Sequence, residues 1–184
     1  MPDFRELTEF LKDTFAYVVM FAVMIFIFLF VVAIAPIAGN SMNPTLADGD
    51  FVIVAKFSYW FSDVGRDDIV IFKDSERKKY VKRVVGLPGE TIDYLDGFLY
   101  INDKPYKETL LDGSKTNNFM FEDICSKDDC PEGKIPDGMY LVLGDNRRDS
   151  KDSRDHSIGL VSEKEIFGKI IFKLWPFSEF GKVY

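Results

Sequence analysis

From Phe15 to Ala35 the chain runs 21 residues without a charged side chain, and no other feature restricts its fold so strongly. As a helix that stretch would extend about 31 Å, the thickness of a bilayer's hydrocarbon core. The sequence therefore predicts a transmembrane helix over residues 15–36, with a short N-terminus, 1–14, on one side and an extramembrane domain, 37–184, on the other. A cleavable secretory signal is the alternative. Such signals open on a basic segment, whereas here Asp3, Glu6, Glu9 and Asp13 outnumber Arg5 and Lys12 by four to two. Ala33-Ile34-Ala35 resembles a small-residue cleavage site, but Pro36 follows it directly, and proline removes an N–H and restricts the residue before it. The preferred reading is an uncleaved anchor. Arg5 and Lys12 precede the stretch, and no Lys or Arg follows it before Lys56. The positive-inside rule then keeps the N-terminus in the cytoplasm and exports the rest, giving a single-pass protein of the cell membrane.

The exported part is long enough for one domain with its own core. A formal net charge of −7 argues against nucleic acid as a partner. The two cysteines lie in Ile124-Cys125-Ser126-Lys127-Asp128-Asp129-Cys130. A disulfide between Cys125 and Cys130 suits an oxidising compartment and the predicted topology. A zinc site is the rival, but it needs two further ligands from a chain with one histidine. After the apolar stretch, Phe51–Ala55, Ile69–Phe72, Tyr80–Val85, Phe98–Ile101, Tyr140–Leu143 and Ile170–Phe172 are rich in β-branched and aromatic residues and separated by Gly, Pro and Asp clusters. Asp96-Gly97 is a strong two-residue hairpin signal. The expected class is mostly β with one membrane helix. Between about Asp103 and Pro136 the composition turns polar and strand periodicity fades, as in a small inserted subdomain. Aromatic groups at Tyr59-Trp60-Phe61 and Trp175-Pro176-Phe177 suit either a lipid interface or core packing.

A Ser-His-Asp triad is nearly excluded, because the sole histidine, His156, sits among charges in Arg154-Asp155-His156-Ser157. A serine enzyme built from this chain needs another base, and lysine is the known substitute. Lysine must first lose its charge. Lowering its pKa by about two units takes roughly 3 kcal/mol of differential interaction, within the reach of apolar packing. Lys82, in the strand-like run Tyr80-Val81-Lys82-Arg83-Val84-Val85, suits that role, against the bland reading of a solvated strand lysine. Ser41, in Gly39-Asn40-Ser41-Met42-Asn43-Pro44-Thr45, stands in a bend just past the apolar stretch, where backbone N–H groups can line an oxyanion pocket. The segment Gly144-Asp145-Asn146-Arg147-Arg148-Asp149-Ser150-Lys151-Asp152-Ser153-Arg154 is the densest in charge. It reads either as a solvated loop or as a cross-linked support for the serine and lysine.

These three segments, in this order behind an N-terminal apolar span, resemble the bacterial type I signal peptidases (the leader peptidase family), which are membrane-bound Ser/Lys proteases. Ser41 to Leu46 is similar to the family's nucleophile box, Tyr80 to Glu90 to its lysine box, and Gly144 to Arg154 to its late box. Gly49–Val52 and Asp68–Phe72 are similar to the strands between them. The resemblance implies an antiparallel β catalytic domain with one membrane helix, Ser41 as nucleophile and Lys82 as general base. It implies that Ser150 orients the lysine, and that Asp152 and Arg154 form a salt-bridge network reaching Arg83. The oxyanion donors would be the N–H of Ser41 and a group at Gly39, where some relatives carry a serine hydroxyl. Neither metal nor cofactor is implied. The expected partners are exported preproteins carrying signal peptides with small residues near the cut, membrane lipid and the secretion translocon. The rivals are a self-cleaving repressor, a pilus-maturation protease of the same Ser/Lys kind, and an inactive membrane-tethered relative that binds precursors. The apolar span and Gly86-Leu87-Pro88-Gly89-Glu90 weigh against the first, and an intact Ser41 and Lys82 weigh against the last.

Overall fold

Each predicted strand forms, and antiparallel pairing between them builds the molecule. A computed structural model of the chain describes residues 4–26, 30–60, 62–108, 111 and 116–183. In chain order its helices and strands are α1 (Phe4–Phe26), β1 (Val32–Pro36), β2 (Phe51–Ala55), β3 (Ile69–Lys73), β4 (Lys79–Gly86), β5 (Ile92–Leu95) and β6 (Phe98–Ile101). Then follow β7 (Lys104–Tyr106), α2 (Phe121–Ile124), β8 (Met139–Leu143), β9 (Val161–Ser162), β10 (Ile166–Trp175) and β11 (Gly181–Lys182). The main sheet runs β1-β2-β10-β3-β4-β8-β9, with β11 added to β10, and a smaller sheet runs β5-β6-β7. Asp96 and Gly97 both take positive φ, 51° and 88°, the mirror-image turn whose twist matches a two-residue hairpin between β5 and β6.

The N-terminal part departs from expectation. The helix begins at Phe4, well before the apolar stretch, and Val32–Pro36 is not helical but forms an edge strand paired with β2 from Val32↔Ala55 to Pro36↔Phe51. The transmembrane helix over 15–36 is thus corrected at both ends, with residues 27–29 outside the described set. Helix α1 spends its first half on the charged residues Arg5, Glu6, Glu9, Lys12 and Asp13, and the last apolar residues satisfy their backbone groups in the sheet. Among the described residues no helix is long and apolar enough to cross a membrane.

Apolar alternation fills the space around the main sheet. One cluster joins Met42, Leu46, Val52, Val54, Ile71 and Ile170, all buried; a second joins Val70, Phe72, Val84 and Val142. The third reaches into the small sheet: Ile92, Tyr94 and Leu99 pack with Phe121, Cys125, Cys130 and with Leu141 and Leu143 of β8. The insertion expected at 103–136 therefore begins earlier, at β5, and shares its core with the main sheet. Cys125 and Cys130 are joined as a disulfide. Tyr59 donates its hydroxyl to Asp68 at 3.0 Å and packs against the second cluster, so it is a core residue; the Trp60 side chain and Phe61 lie outside the described set. Trp175 and Phe177 are exposed and stack edge-to-face.

Candidate active site

The loop between β1 and β2 carries Ser41, and its neighbours explain how it is held. Met42 and Leu46 are fully buried in the first core cluster, four residues apart, with the Leu46 N–H donating to Met42 O at 2.9 Å. These two plugs leave the residues between them, and Ser41 before them, to turn on the surface. Strand β4, third from β2 beyond β10 and β3, brings Lys82 up beside this loop. Lys82 Nζ stands 2.7 Å from Ser41 Oγ and donates to Val81 O at 2.9 Å. Only 2% of the lysine is exposed. Burial disfavours its ammonium form and pushes it down from an ordinary 10.5 to about 8. The carboxylates of Asp152 and Asp145 oppose that shift, and the Arg154 guanidinium assists it. A neutral amine at this distance can accept the hydroxyl proton, the first requirement of a serine nucleophile.

The loop after β8 clamps this pair from the other side. Asn146 donates its N–H to Ser41 O at 3.0 Å and its side-chain amide to Asn40 O at 3.1 Å. Asp145 accepts from Arg83 Nε at 2.8 Å, Arg83 Nη2 at 2.7 Å and Thr45 Oγ1 at 2.6 Å. One carboxylate thus ties the residue beside Lys82 to the loop that carries Ser41. Gly144 packs so closely that a Cβ there would meet Ser150 Oγ at 2.1 Å and Ser41 O at 2.5 Å, and only glycine fits. Asp152, fully buried, accepts from the Gly144 N–H at 2.9 Å and pairs with Arg154 at 2.7 Å. Arg154 and Arg147 then reach Thr116 and Glu108, so the small subdomain braces the same loop. Beside Ser41 and Lys82 lies an open cleft of about 520 Å³, walled by Ala35 to Met42 on one side and Lys79 to Lys82 on the other.

A sequence profile described as "Signal peptidase, peptidase S26" matches residues 7–175. The chain belongs to the signal peptidase family, peptidase S26. It is 42% identical over 161 residues to signal peptidase I of Bacillus caldolyticus, covering 83% of this chain and 85% of that protein. It is 38% identical over 181 residues to signal peptidase IB of Staphylococcus aureus, covering 94% and 93%. The crystal structure of a signal peptidase I from Enterococcus faecalis superposes with a TM-score of 0.51 at 34% identity, covering 59% of this chain and 97% of that one. The chain is accordingly a peptidase, and its mostly antiparallel β architecture resembles that of a signal peptidase I.

Within this family the site departs from the sequence expectation in three places. Ser150 Oγ is buried without a hydrogen-bond partner, so the expected bond to Lys82 is not formed; the lysine is satisfied by Ser41 and by its neighbour's carbonyl. Arg83 is bound by Asp145, an acid that nothing in its segment singles out from its neighbours, while Asp152 pairs with Arg154 as expected. The Gly39 N–H, expected to serve an oxyanion, donates to Asp48 Oδ1 at 2.7 Å. His156 is exposed on a separate groove beside Cys125.

Proposed function

We propose that this peptidase removes signal peptides from exported preproteins by a Ser41/Lys82 dyad, from a position anchored in the cell membrane with the catalytic domain outside. The observation that carries the chemistry is the 2.7 Å approach of a buried, pKa-depressed Lys82 to Ser41 Oγ. In this reading a precursor lies extended in the cleft, main chain against main chain. Neutral Lys82 takes the Ser41 proton as Oγ attacks the scissile carbonyl, and the ammonium returns it to the leaving amine. Lys82, neutral again, then takes a proton from water as the water oxygen attacks the acyl carbonyl, and returns it to Ser41 Oγ as the ester bond breaks. The Ser41 N–H has no protein acceptor among the described residues, which suits it to the developing oxyanion. Gly39 adds a second donor once its amide exchanges Asp48 for substrate. The unpartnered Ser150 hydroxyl favours a role for it in orienting the lysine when the amine moves.

Helix α1 supports the anchored reading, because none of its residues is buried and Phe15, Met20 and Phe26 are 71%, 63% and 58% exposed. An apolar helix surface with nothing packed on it calls for lipid or a partner. The exposed residues Phe51 and Trp175 are paired across β2 and β10, next to the exposed Phe177, and suit the headgroup level. The test is cleavage of a precursor by the detergent-solubilised chain, with the new N-terminus sequenced. Ser41→Ala and Lys82→Ala should each abolish cutting after a small residue; full activity in either rejects the dyad.

A further inference from the structure

We propose that a lysine-rimmed groove at the end of the apolar N-terminal segment binds the phosphate of an anionic phospholipid headgroup, a site that rests on the membrane-anchored reading above. The groove, of about 540 Å³, is lined by Phe30, Lys56, Lys73, Lys164 and Phe167 together with Asp74 and Glu165. The ammonium groups of Lys56, Lys73 and Lys79 lie 5.8, 5.8 and 5.5 Å from the centre of the one Phe167 ring. A single aromatic ring offers weak compensation for the like charges of Lys73 and Lys79. Lys73 and Lys79 are moreover direct partners across β3 and β4, where like charges opposite one another are destabilising. The two acids of the groove are outnumbered by the lysines, and neither forms an ion pair with Lys73, Lys79 or Lys164 among the described residues. Asp74 accepts from the N–H groups of Glu76 and Lys78, and Glu165 from the N–H of Ser162. Lys73, Lys79 and Lys164 have no ion pair among the described residues. In a chain of net charge −7, this is a local concentration of positive charge that an anion would satisfy.

Position selects the anion. The Lys56 N–H donates to Val31 O at 3.0 Å, and the exposed Phe30 forms part of the groove wall. The lysines are therefore fixed where the apolar segment ends, the level at which lipid phosphates lie if that segment is in the bilayer. Ammonium groups supply donors for phosphate oxygens, while Phe30 offers the apolar contact that a glycerolipid can use and inorganic phosphate cannot.

The experiment is native mass spectrometry of the full chain released from detergent micelles containing equal amounts of phosphatidylglycerol and phosphatidylcholine. The expected result is selective retention of phosphatidylglycerol, reduced about 25-fold in the double variant Lys73→Gln/Lys164→Gln, since each lysine near an anionic surface contributes a factor of about five. Glycerol phosphate at matching concentration should not displace the lipid; displacement would make a free phosphate ester the ligand and overturn the lipid assignment. Equal retention of the two lipids, or equal retention by wild type and variant, also overturns it. Carbonate extraction from pure phosphatidylcholine vesicles separates the two readings. Both proteins should stay embedded; embedding without lipid preference sinks the lysine site alone, whereas extraction sinks the anchor and the site with it.

Discussion

If Lys82 is the base, activity should follow its neutral fraction, and that fraction is set by burial. With the amine at about 8, about 9% is neutral at pH 7 and about 90% at pH 9. At the ordinary 10.5 about 0.03% would be neutral at pH 7, roughly 300-fold less. The dependence of kcat/KM on pH should therefore rise tenfold per unit below pH 8 and flatten above it, reaching a plateau about ten times the value at pH 7. Two substitutions fix the assignment by their opposite signs. Asp152 holds the amine up electrostatically, so Asp152→Asn should move the rising limb to lower pH; asparagine keeps an oxygen for the Gly144 N–H. Arg154 holds it down, so Arg154→Gln should move the limb to higher pH. The assay is initial-rate cleavage of a precursor by the full chain between pH 6 and 10 at constant ionic strength. A limb that keeps rising to pH 10, or one that neither substitution moves, refutes a buried lysine base.

The supporting contacts give two further tests. Gly144→Ala drives a Cβ to within 2.5 Å of Ser41 O; displacing the nucleophile by about 1 Å should lower kcat roughly 100-fold with the circular dichroism spectrum unchanged, and wild-type kcat would mean that the close packing at Gly144 has no bearing on catalysis. Asp145→Ala leaves the Arg83 guanidinium, 1% exposed, without its two charged bonds and should destabilise the domain by about 3–5 kcal/mol in chemical denaturation; replacing both members with Arg83→Met and Asp145→Leu should recover most of it, and a single variant that costs nothing would contradict the buried pairing.

How much of this was readable beforehand follows from which signals are local. Strands β2 and β6 match the predicted runs residue for residue, because β-branched and aromatic residues between turn formers specify strand without outside help. Strand β1 is not legible in the sequence for a physical reason: Val32 to Pro36 continues an apolar run, and apolar continuity alone cannot separate helix from strand. Its partner, β2, lies past the nucleophile loop, so the pairing that decides the matter is not local. Ser41 and Lys82 stand out in the sequence because each lies in a short segment whose neighbours restrict it, and the structure brings them within 2.7 Å. The pairing inside Gly144–Arg154 is not legible, since four acids and four bases within and just beyond it, at Asp145, Arg147, Arg148, Asp149, Lys151, Asp152, Arg154 and Asp155, allow many equivalent matches on paper. Packing selects among them by where each carboxylate can be satisfied. Asp145 reaches back to Arg83 and Thr45, and Asp152 turns in to the Gly144 N–H and out to Arg154. The consequence is electrostatic as well as mechanical. Both acids favour the charged form of Lys82, and left bare they would work against the burial that lowers its pKa. Each is instead matched by an arginine that cannot give up its charge, so the carboxylates can hold the loops together while burial still draws the lysine between them down to about 8.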